Sequence, residues 1–467
     1  MNWKRAGLVL VVAAMCVPMA LRAQDASLWI TTPDRSSLLK EQTPALKFGS
    51  DAASGTVIDV DDKKKFQTMD GFGFALTGGS AQLINKMDAG ARAAMLKELF
   101  TTEGDGIGVS YLRLSVGASD MNDHVYSYDD LPKGETDVKM EKFSVTPDRA
   151  DVIPVMKEIL EINPKIKILA SPWSAPLWMK TSGVARGGVL KPEYFEAYAL
   201  YFVKYIQAMK AEGIAIDALT VQNEPLNEKN TPSMLMLESE LADFIENDLG
   251  PAFQKAGIKT KIILYDHNLD HPMYPLSILK DKKANKYIDG TGFHLYGGTV
   301  DAFDQVHNAF PKKNLYFTEQ SVNDRRGATE MNISRPVARI AIGATRHWSK
   351  NVLLWNLAAD PQAGPHTNEG GCPVCYGALT IDGDKVTKLV AYYTIGQVSK
   401  FVPDGSVRID SEPSPDSLPN VAFQTPEGKT VLLVANTGSA VADFSVRYHG
   451  KTLKTSLSAG TVGTYVW

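Results

Sequence analysis

Two glutamates, each closing a short apolar run, are the residues of this chain best suited to chemistry. Val221-Gln222-Asn223-Glu224-Pro225 ends one run and Tyr316-Phe317-Thr318-Glu319 ends another. A carboxyl at a strand end can stay protonated near neutral pH when it is partly desolvated or sits near another carboxylate. Glu224 could then donate a proton to a leaving oxygen, with Glu319 facing it across the same mouth. Two carboxyls flanking one glycosidic bond are what most glycoside hydrolysis requires. Asn223 would point into that mouth and could hydrogen-bond a sugar hydroxyl. A lone glutamate at a strand end is more often a salt-bridge partner, so the pair means little unless one fold brings both to one place.

The elements that would do so recur through the middle of the chain. Eight short runs, at residues 70–77, 109–117, 166–174, 218–225, 261–267, 290–296, 314–321 and 352–360, are mostly β-branched, aromatic or leucine-rich, as strands buried on both faces are. Helix-patterned stretches lie between them. Residues 81–100 space Leu83, Ile84, Met87, Met95, Leu96 and Leu99 on one face, and residues 192–212 carry Tyr194, Phe195, Tyr198, Tyr201, Phe202, Tyr205 and Met209. Strand and helix alternating eight times predicts an α/β fold, a (β/α)8 TIM barrel, over residues 70–401. The runs end in polar or aromatic residues, where such barrels put their chemistry: Arg113 and Ser115, Trp173 and Ser174, Asn223 and Glu224, Asp266 and His267, His294 and Tyr296, Glu319, Trp355 and Asn356. Residues 24–69 and 402–467 read differently. Extended segments at 56–60, 407–410, 421–424, 430–435, 442–448 and 461–467, led by a helix over 389–401, predict an attached β-sandwich domain built from both chain ends.

Composition narrows the function classes. At 467 residues the chain can hold one large domain and a smaller partner. Apolar residues at 44% and charged residues at 22% exclude disordered, collagen-like and coiled-coil classes. A net charge of −4, with Lys63 to Lys65 as the nearest thing to a basic run, gives no nucleic-acid surface. Eight histidines form no HxH or HExxH pattern, so neither a metal nor another cofactor is expected. At the N-terminus, Lys4 and Arg5 precede an apolar run over 6–21 that Pro18 interrupts, and Leu21-Arg22-Ala23 offers a cleavage site. This predicts a signal peptide over 1–23, with export to the periplasm or beyond. The run is short and interrupted for a membrane span, and a retained anchor is the alternative reading. Cleavage would remove Cys16 and leave Cys372 and Cys375, a CxxC pair that could close a small loop disulfide in an oxidising compartment. No second pair exists to complete a zinc site.

Seven stretches run in the order of a known family. They are Asp70-Gly71-Phe72-Gly73 with Thr77; Leu112-Arg113-Leu114-Ser115 with Ser119-Asp120; Ala170-Ser171-Pro172-Trp173-Ser174-Ala175-Pro176-Leu177-Trp178-Met179-Lys180; Asn223-Glu224-Pro225; His294-Leu295-Tyr296; Phe317-Thr318-Glu319; and Trp355-Asn356-Leu357. On these the chain resembles the glucosylceramidase family, glycoside hydrolase family 30, over nearly all of its mature length. The resemblance implies retaining hydrolysis of a β-glucosyl bond, with Glu224 as acid/base and Glu319 as nucleophile. It implies that Asp120, Trp173, Asn223, His294, Tyr296 and Trp355 line a glucose subsite, and that Arg113 keeps a nearby carboxylate ionised. His294 reads as a hydrogen-bonding orienter, Lys180 as a loop charge, and Trp178 as a wall of the barrel mouth. A protonated Glu224 beside an ionised Glu319 predicts a rate profile peaking on the mildly acid side of neutral.

The resemblance implies a carbohydrate or glycolipid substrate, and members of the family divide between β-1,6-glucan and glucosylceramide. The loops expected to decide are 180–190 and 359–377. The run Gly364-Pro365-His366-Thr367-Asn368-Glu369-Gly370-Gly371 in the second suits a polar leaving group, which favours β-1,6-glucan or a related β-glucoside over glucosylceramide. A barrel that binds polysaccharide without cleaving it is the alternative of another class. It would keep the aromatic residues and lose one carboxylate.

Overall fold

The computed structural model describes residues 25–324 and 327–467, so the expected signal segment lies outside the described residues. Eight parallel strands close into a barrel: Gly71–Leu76, Tyr111–Ser115, Lys167–Ser171, Ala218–Thr220, Lys261–Asn268, Ile288–His294, Asn314–Glu319 and Ser349–Leu354. They neighbour one another in chain order, and the eighth pairs with the first. The first strand can lie this close to the second because residue 73 is glycine; a Cβ there would sit 1.9 Å from the Tyr111 carbonyl oxygen.

Period-two alternation explains how an apolar strand delivers a polar site. Tyr111, Leu169, Ala218, Ile263, Tyr316 and Leu353 pack together as one apolar layer inside the barrel. Two residues further along, the same strands present Arg113, Ser171, Thr220, Thr318 and Trp355. In the fifth strand the register shifts between Tyr265 and His267, and both Tyr265 (φ 71°) and Asp266 (φ 57°) take left-handed backbone. The shift lets Asp266 join this polar layer, where it accepts hydrogen bonds from Arg113 and Thr220.

Two elements of the barrel depart from the sequence reading. The eighth strand starts at Ser349, three residues ahead of the apolar run, because its polar residues are satisfied inside: Asn351 Oδ1 accepts from Phe317 N at 2.9 Å and Ser349 Oγ donates to Asn351 O at 2.7 Å. The expected helix over 81–100 is two helices, Gly78–Lys86 and Ala89–Phe100. Asp88 breaks it, because its side chain caps Gly90 N at 2.8 Å while its own N–H donates to Asp384.

The second domain is one nine-stranded sheet rolled on itself. Its order is Lys451–Leu457, Ala442–Tyr448, Thr56–Thr68, Val407–Glu412, Asn420–Gln424, Thr430–Ala435, Val462–Val466, Asp25–Thr31 and Lys40–Lys47. The two open edges meet through Gly49 and Thr452, which exchange backbone hydrogen bonds of 2.9 Å. Phe48, Ile58, Ile409, Leu432, Tyr465 and Trp467 fill the space between the faces. The helix Val390–Ser399 is buried along its whole length between barrel and sheet. Its Gln397 donates to Thr31 Oγ1 at 2.8 Å and accepts from Thr464 Oγ1 at 2.6 Å, joining the two chain ends to the barrel. Among the described residues no helix is long and apolar enough to cross a membrane.

Candidate active site

The strand ends surround a cavity of about 780 Å³ whose lining includes Asp120, Trp173, Glu224, Tyr296, Glu319 and Trp355. Glu224 follows the fourth strand in left-handed backbone (φ 45°), held by its N–H to Asp266 O at 3.0 Å. A non-glycine residue in that region costs on the order of 1–3 kcal/mol, which the surrounding contacts must offset. Glu319 ends the seventh strand. One oxygen of each carboxylate lies within 4.8 Å of the other.

Arg113 is the floor beneath them. Its guanidinium donates to Glu319 Oε2 at 2.5 Å, Asp266 Oδ2 at 2.7 Å, Asn223 Oδ1 at 2.7 Å and Ser171 Oγ at 3.2 Å, and its side chain has no exposed surface. Arg113 and His294 therefore sit under the cavity and outside its lining, and so does Asn223, whose amide oxygen is taken by Arg113. Trp173 and Trp355 stack obliquely with ring centres 5.3 Å apart, and Arg113 lies 4.8 Å from the Trp173 ring. Asn356 anchors that wall, accepting from Thr77 and Ser80 hydroxyls at 3.0 and 2.7 Å. Tyr296 Oη donates to Glu319 Oε1 at 3.1 Å. Trp178 is a packing residue, donating to Asp129 and stacking edge-on against Tyr194.

His294 bridges the acids. Its Nδ1 is 3.1 Å from Glu224 Oε1 and its Nε2 is 3.1 Å from Asp266 Oδ1, so both ring nitrogens face carboxylates. Burial opposes a charge on this ring, but Glu319, Asp266 and Glu224 outweigh it and push its pKa up to about 9. Burial alone would raise Glu224; the hydrogen bond and charge of His294 overcome it and pull the carboxyl down to about 2. Burial raises Glu319 above its ordinary value, against the pull of His294 and Arg113. The pKa of Glu224 is thus held below, and that of His294 above, its ordinary value, whereas burial and a second carboxylate were expected to raise Glu224. That expectation weighed burial and a second carboxylate but had no cation beside Glu224. Asp120 is pushed up to about 8 by burial and by the charges of Glu319 and Glu224, and its Oδ1 is buried without a partner.

Three residues that sequence reasoning did not single out as site residues complete the machinery. Asp266 pins both Arg113 and His294. Asn227 donates to Glu224 Oε2 at 2.7 Å, and Ser321 N–H donates to Tyr296 Oη at 3.0 Å. Asp266 stood at a run's end in the sequence, and that position was its only signal. Glu224, His294 and Glu319 also offer three ligand atoms within 4.8 Å, as do Asp301, Asp304 and His347 at the surface. In the first of these groups both ring nitrogens of His294 are already taken up by hydrogen bonds to carboxylates.

The loop after the eighth strand forms a further wall. Cys372 and Cys375 are joined in a disulfide, and Cys375 packs against Trp173 and Trp355. Gly371, Cys372, Pro373 and Cys375 line the cavity together with residues 226–230, and Thr231 N donates to Gly370 O at 3.1 Å where the two segments adjoin. The loop 180–190, expected to shape the leaving-group side, contributes nothing to that lining and stands behind it.

Residues 69–402 match the glycosyl hydrolase family 30 TIM-barrel domain, and residues 405–465 match the family's beta sandwich domain. The chain belongs to glycosyl hydrolase family 30. It is a glycoside hydrolase, similar over 413 residues at 33% identity to the endo-1,6-beta-D-glucanase neg1 of Aspergillus fumigatus, covering 83% of this chain and 82% of that one. It is 28% identical to the lysosomal acid glucosylceramidase of Mus musculus, over 89% of this chain and 84% of that one. Among solved structures, an endo-beta1,6-glucanase superposes with a TM-score of 0.87 at 34% identity, covering 95% of this chain and 99% of the other. Family 30 membership accounts for the barrel and the sandwich together.

Proposed function

We propose that this family 30 enzyme cleaves β-1,6-linked glucan with retention of configuration, Glu319 attacking the anomeric carbon and Glu224 serving first as acid and then as base. The observation that carries the chemistry is the approach of the two carboxylates to within 4.8 Å. Retaining enzymes hold their carboxyls about 5–5.5 Å apart, whereas inverting ones leave about 6.5–9.5 Å for a water.

The proton follows the His294–Glu224 hydrogen bond. Before substrate binds, this reading puts the proton on His294, whose pKa its carboxylate neighbours push up to about 9, beside Glu224, pulled down to about 2. When a neutral sugar displaces water, the proton crosses the 3.1 Å bond to Glu224, which passes it to the departing oxygen as Glu319 forms the glycosyl ester. The pair then holds no proton. Glu224 accepts one from the attacking water, Glu319 leaves as carboxylate, and the pair is restored. Arg113 and Tyr296 orient Glu319 throughout, and protonated Asp120 can donate to a sugar hydroxyl beside the Trp173–Trp355 wall.

The leaving-group side supports the substrate. Asn227, Glu228, Lys229 and Asn230 line it, a polar set suited to a second glucose, and relatives at 33–35% identity are named endo-1,6-β-D-glucanases. Glucosylceramide is the second reading, favoured by Leu226, Pro373 and the disulfide in the same lining. Work outside the cytoplasm is supported by the pattern of residues 1–23 and by the disulfide, a bond that oxidising compartments preserve.

Assays on β-1,6-glucan, glucosylceramide and p-nitrophenyl β-glucoside, side by side, test the substrate; β-1,6-glucan should be turned over with the highest kcat/KM. Glu319→Ala should abolish turnover, and azide rescue should give a glycosyl azide of inverted configuration. Near-normal activity in that variant would remove Glu319 from its role. Glu224→Ala should lose far less on substrates with activated aryl leaving groups than on glucan.

A further inference from the structure

Lys180 is a buried lysine, 1% exposed, with no role in the chemistry described above. Its ammonium donates to three backbone carbonyls, Val184 O at 2.9 Å, Ala185 O at 2.9 Å and Ser233 O at 2.8 Å, and among the described residues no carboxylate pairs with it. Burial pushes its pKa down to about 7, and the three carbonyl oxygens are the acceptors that satisfy the ammonium. Two of those carbonyls belong to the loop after the third strand and one to the loop after the fourth. Further bonds fasten the same junction: Ser233 N to Ala185 O at 3.0 Å, Gly187 N to Ser233 Oγ at 3.0 Å, and Leu235 N to Gly188 O at 2.9 Å. From there Thr231 N reaches Gly370 O at 3.1 Å, in the disulfide-bearing loop, and Thr367 N reaches Asp120 O at 3.0 Å. Arg186 Nε also meets Glu228 O, on the cavity wall, at 3.4 Å.

We propose that Lys180 is a positioning residue that sets the leaving-group wall of the cleft, locking residues 226–230 in place from behind through Ser233. Three carbonyl oxygens aimed at one point repel one another unless a cation lies between them. Without the ammonium, the loops at 180–190 and 231–236 separate, and the wall loses its register with the disulfide-bearing loop bonded to it at Gly370. Glu319 and Arg113 stand on strands that this junction does not touch, so the glycone side stays intact. The inference rests on the reading that a sugar occupies the leaving-group side.

The test compares Lys180→Met with the wild-type full chain on two substrates: β-glucosyl fluoride, whose leaving group touches no wall, and a β-1,6-linked glucotetraose. For the tetraose, kcat/KM should fall about tenfold or more, carried by KM, while glucosyl fluoride changes less than about threefold. Ser233→Ala keeps the ammonium cradle and should shift the ratio the same way by a smaller factor; it serves if Lys180→Met does not fold. Parallel losses on both substrates, or an unchanged ratio in both variants, would overturn the proposal. A wild type that cleaves glucosyl fluoride but not the tetraose would sink the β-1,6 reading instead. The same ratio read on glucosylceramide then decides Lys180.

Discussion

At the scale of single residues, the site is a set of carboxylates whose protonation is governed by two buried cations. The carboxylates around His294 push its pKa up to about 9 from the ordinary 6.5, so the His294–Glu224 pair is expected to keep its proton below that pH and lose it as pH rises through it. Asp120 loses its own proton near 8. On the acid side, activity falls where Glu319, raised above 4.5, becomes protonated. The profile of kcat/KM should therefore run flat through neutrality and fall between about 8 and 9, instead of peaking on the mildly acid side. His294→Gln should move the basic limb at least about one pH unit toward acid and lower kcat about 10²-fold. An unmoved limb would mean that the proton is stored elsewhere. Glu224 and Glu319 were legible in the sequence because each closes an apolar run. Asp266 was legible only as a residue at a run's end; its pairing with Arg113, 153 residues away, was not, because only the closed barrel sets the two side by side.

At the scale of elements, all eight barrel strands were legible as apolar runs, and their ends named the residues of the mouth. The misreadings came from polar residues that tertiary contacts satisfy. Ser349 and Asn351 concealed the start of the eighth strand, and Asp88 was read through as mid-helix when it caps the next one. The strand Lys451–Leu457 also went unread, its lysines and threonines masking an alternating pattern with Thr452, Leu453 and Leu457 buried. The loop at 360–377 gave its CxxC pair to the sequence but not its place against Trp355. Replacing Cys372 and Cys375 together by serine should leave kcat within about threefold on glucan and raise KM severalfold, because one wall loosens while Glu319 and Arg113 stay fixed. Steady-state kinetics with and without the substitutions checks this; a loss confined to kcat would contradict it.

At the scale of the whole molecule, barrel and sheet share the buried helix Val390–Ser399 and the contacts of Arg346, which donates to Ser411 O at 3.0 Å and Asn420 O at 3.1 Å. We expect one cooperative thermal transition, with loss of activity and loss of sheet signal superimposed. Two resolved transitions would show that the domains melt separately.

The sheet also carries a consequence for how the polypeptide is made. Thr56–Thr68 lies between Val407–Glu412 and Ala442–Tyr448, and Lys64 and Asp410, which pair across it, stand 346 residues apart. During synthesis this strand waits, both edges open, until the entire barrel has emerged, and unpaired edges invite association with other nascent chains. Lys63, Lys64 and Lys65 stand in mid-strand, and charged side chains on an open edge disfavour its pairing with another chain.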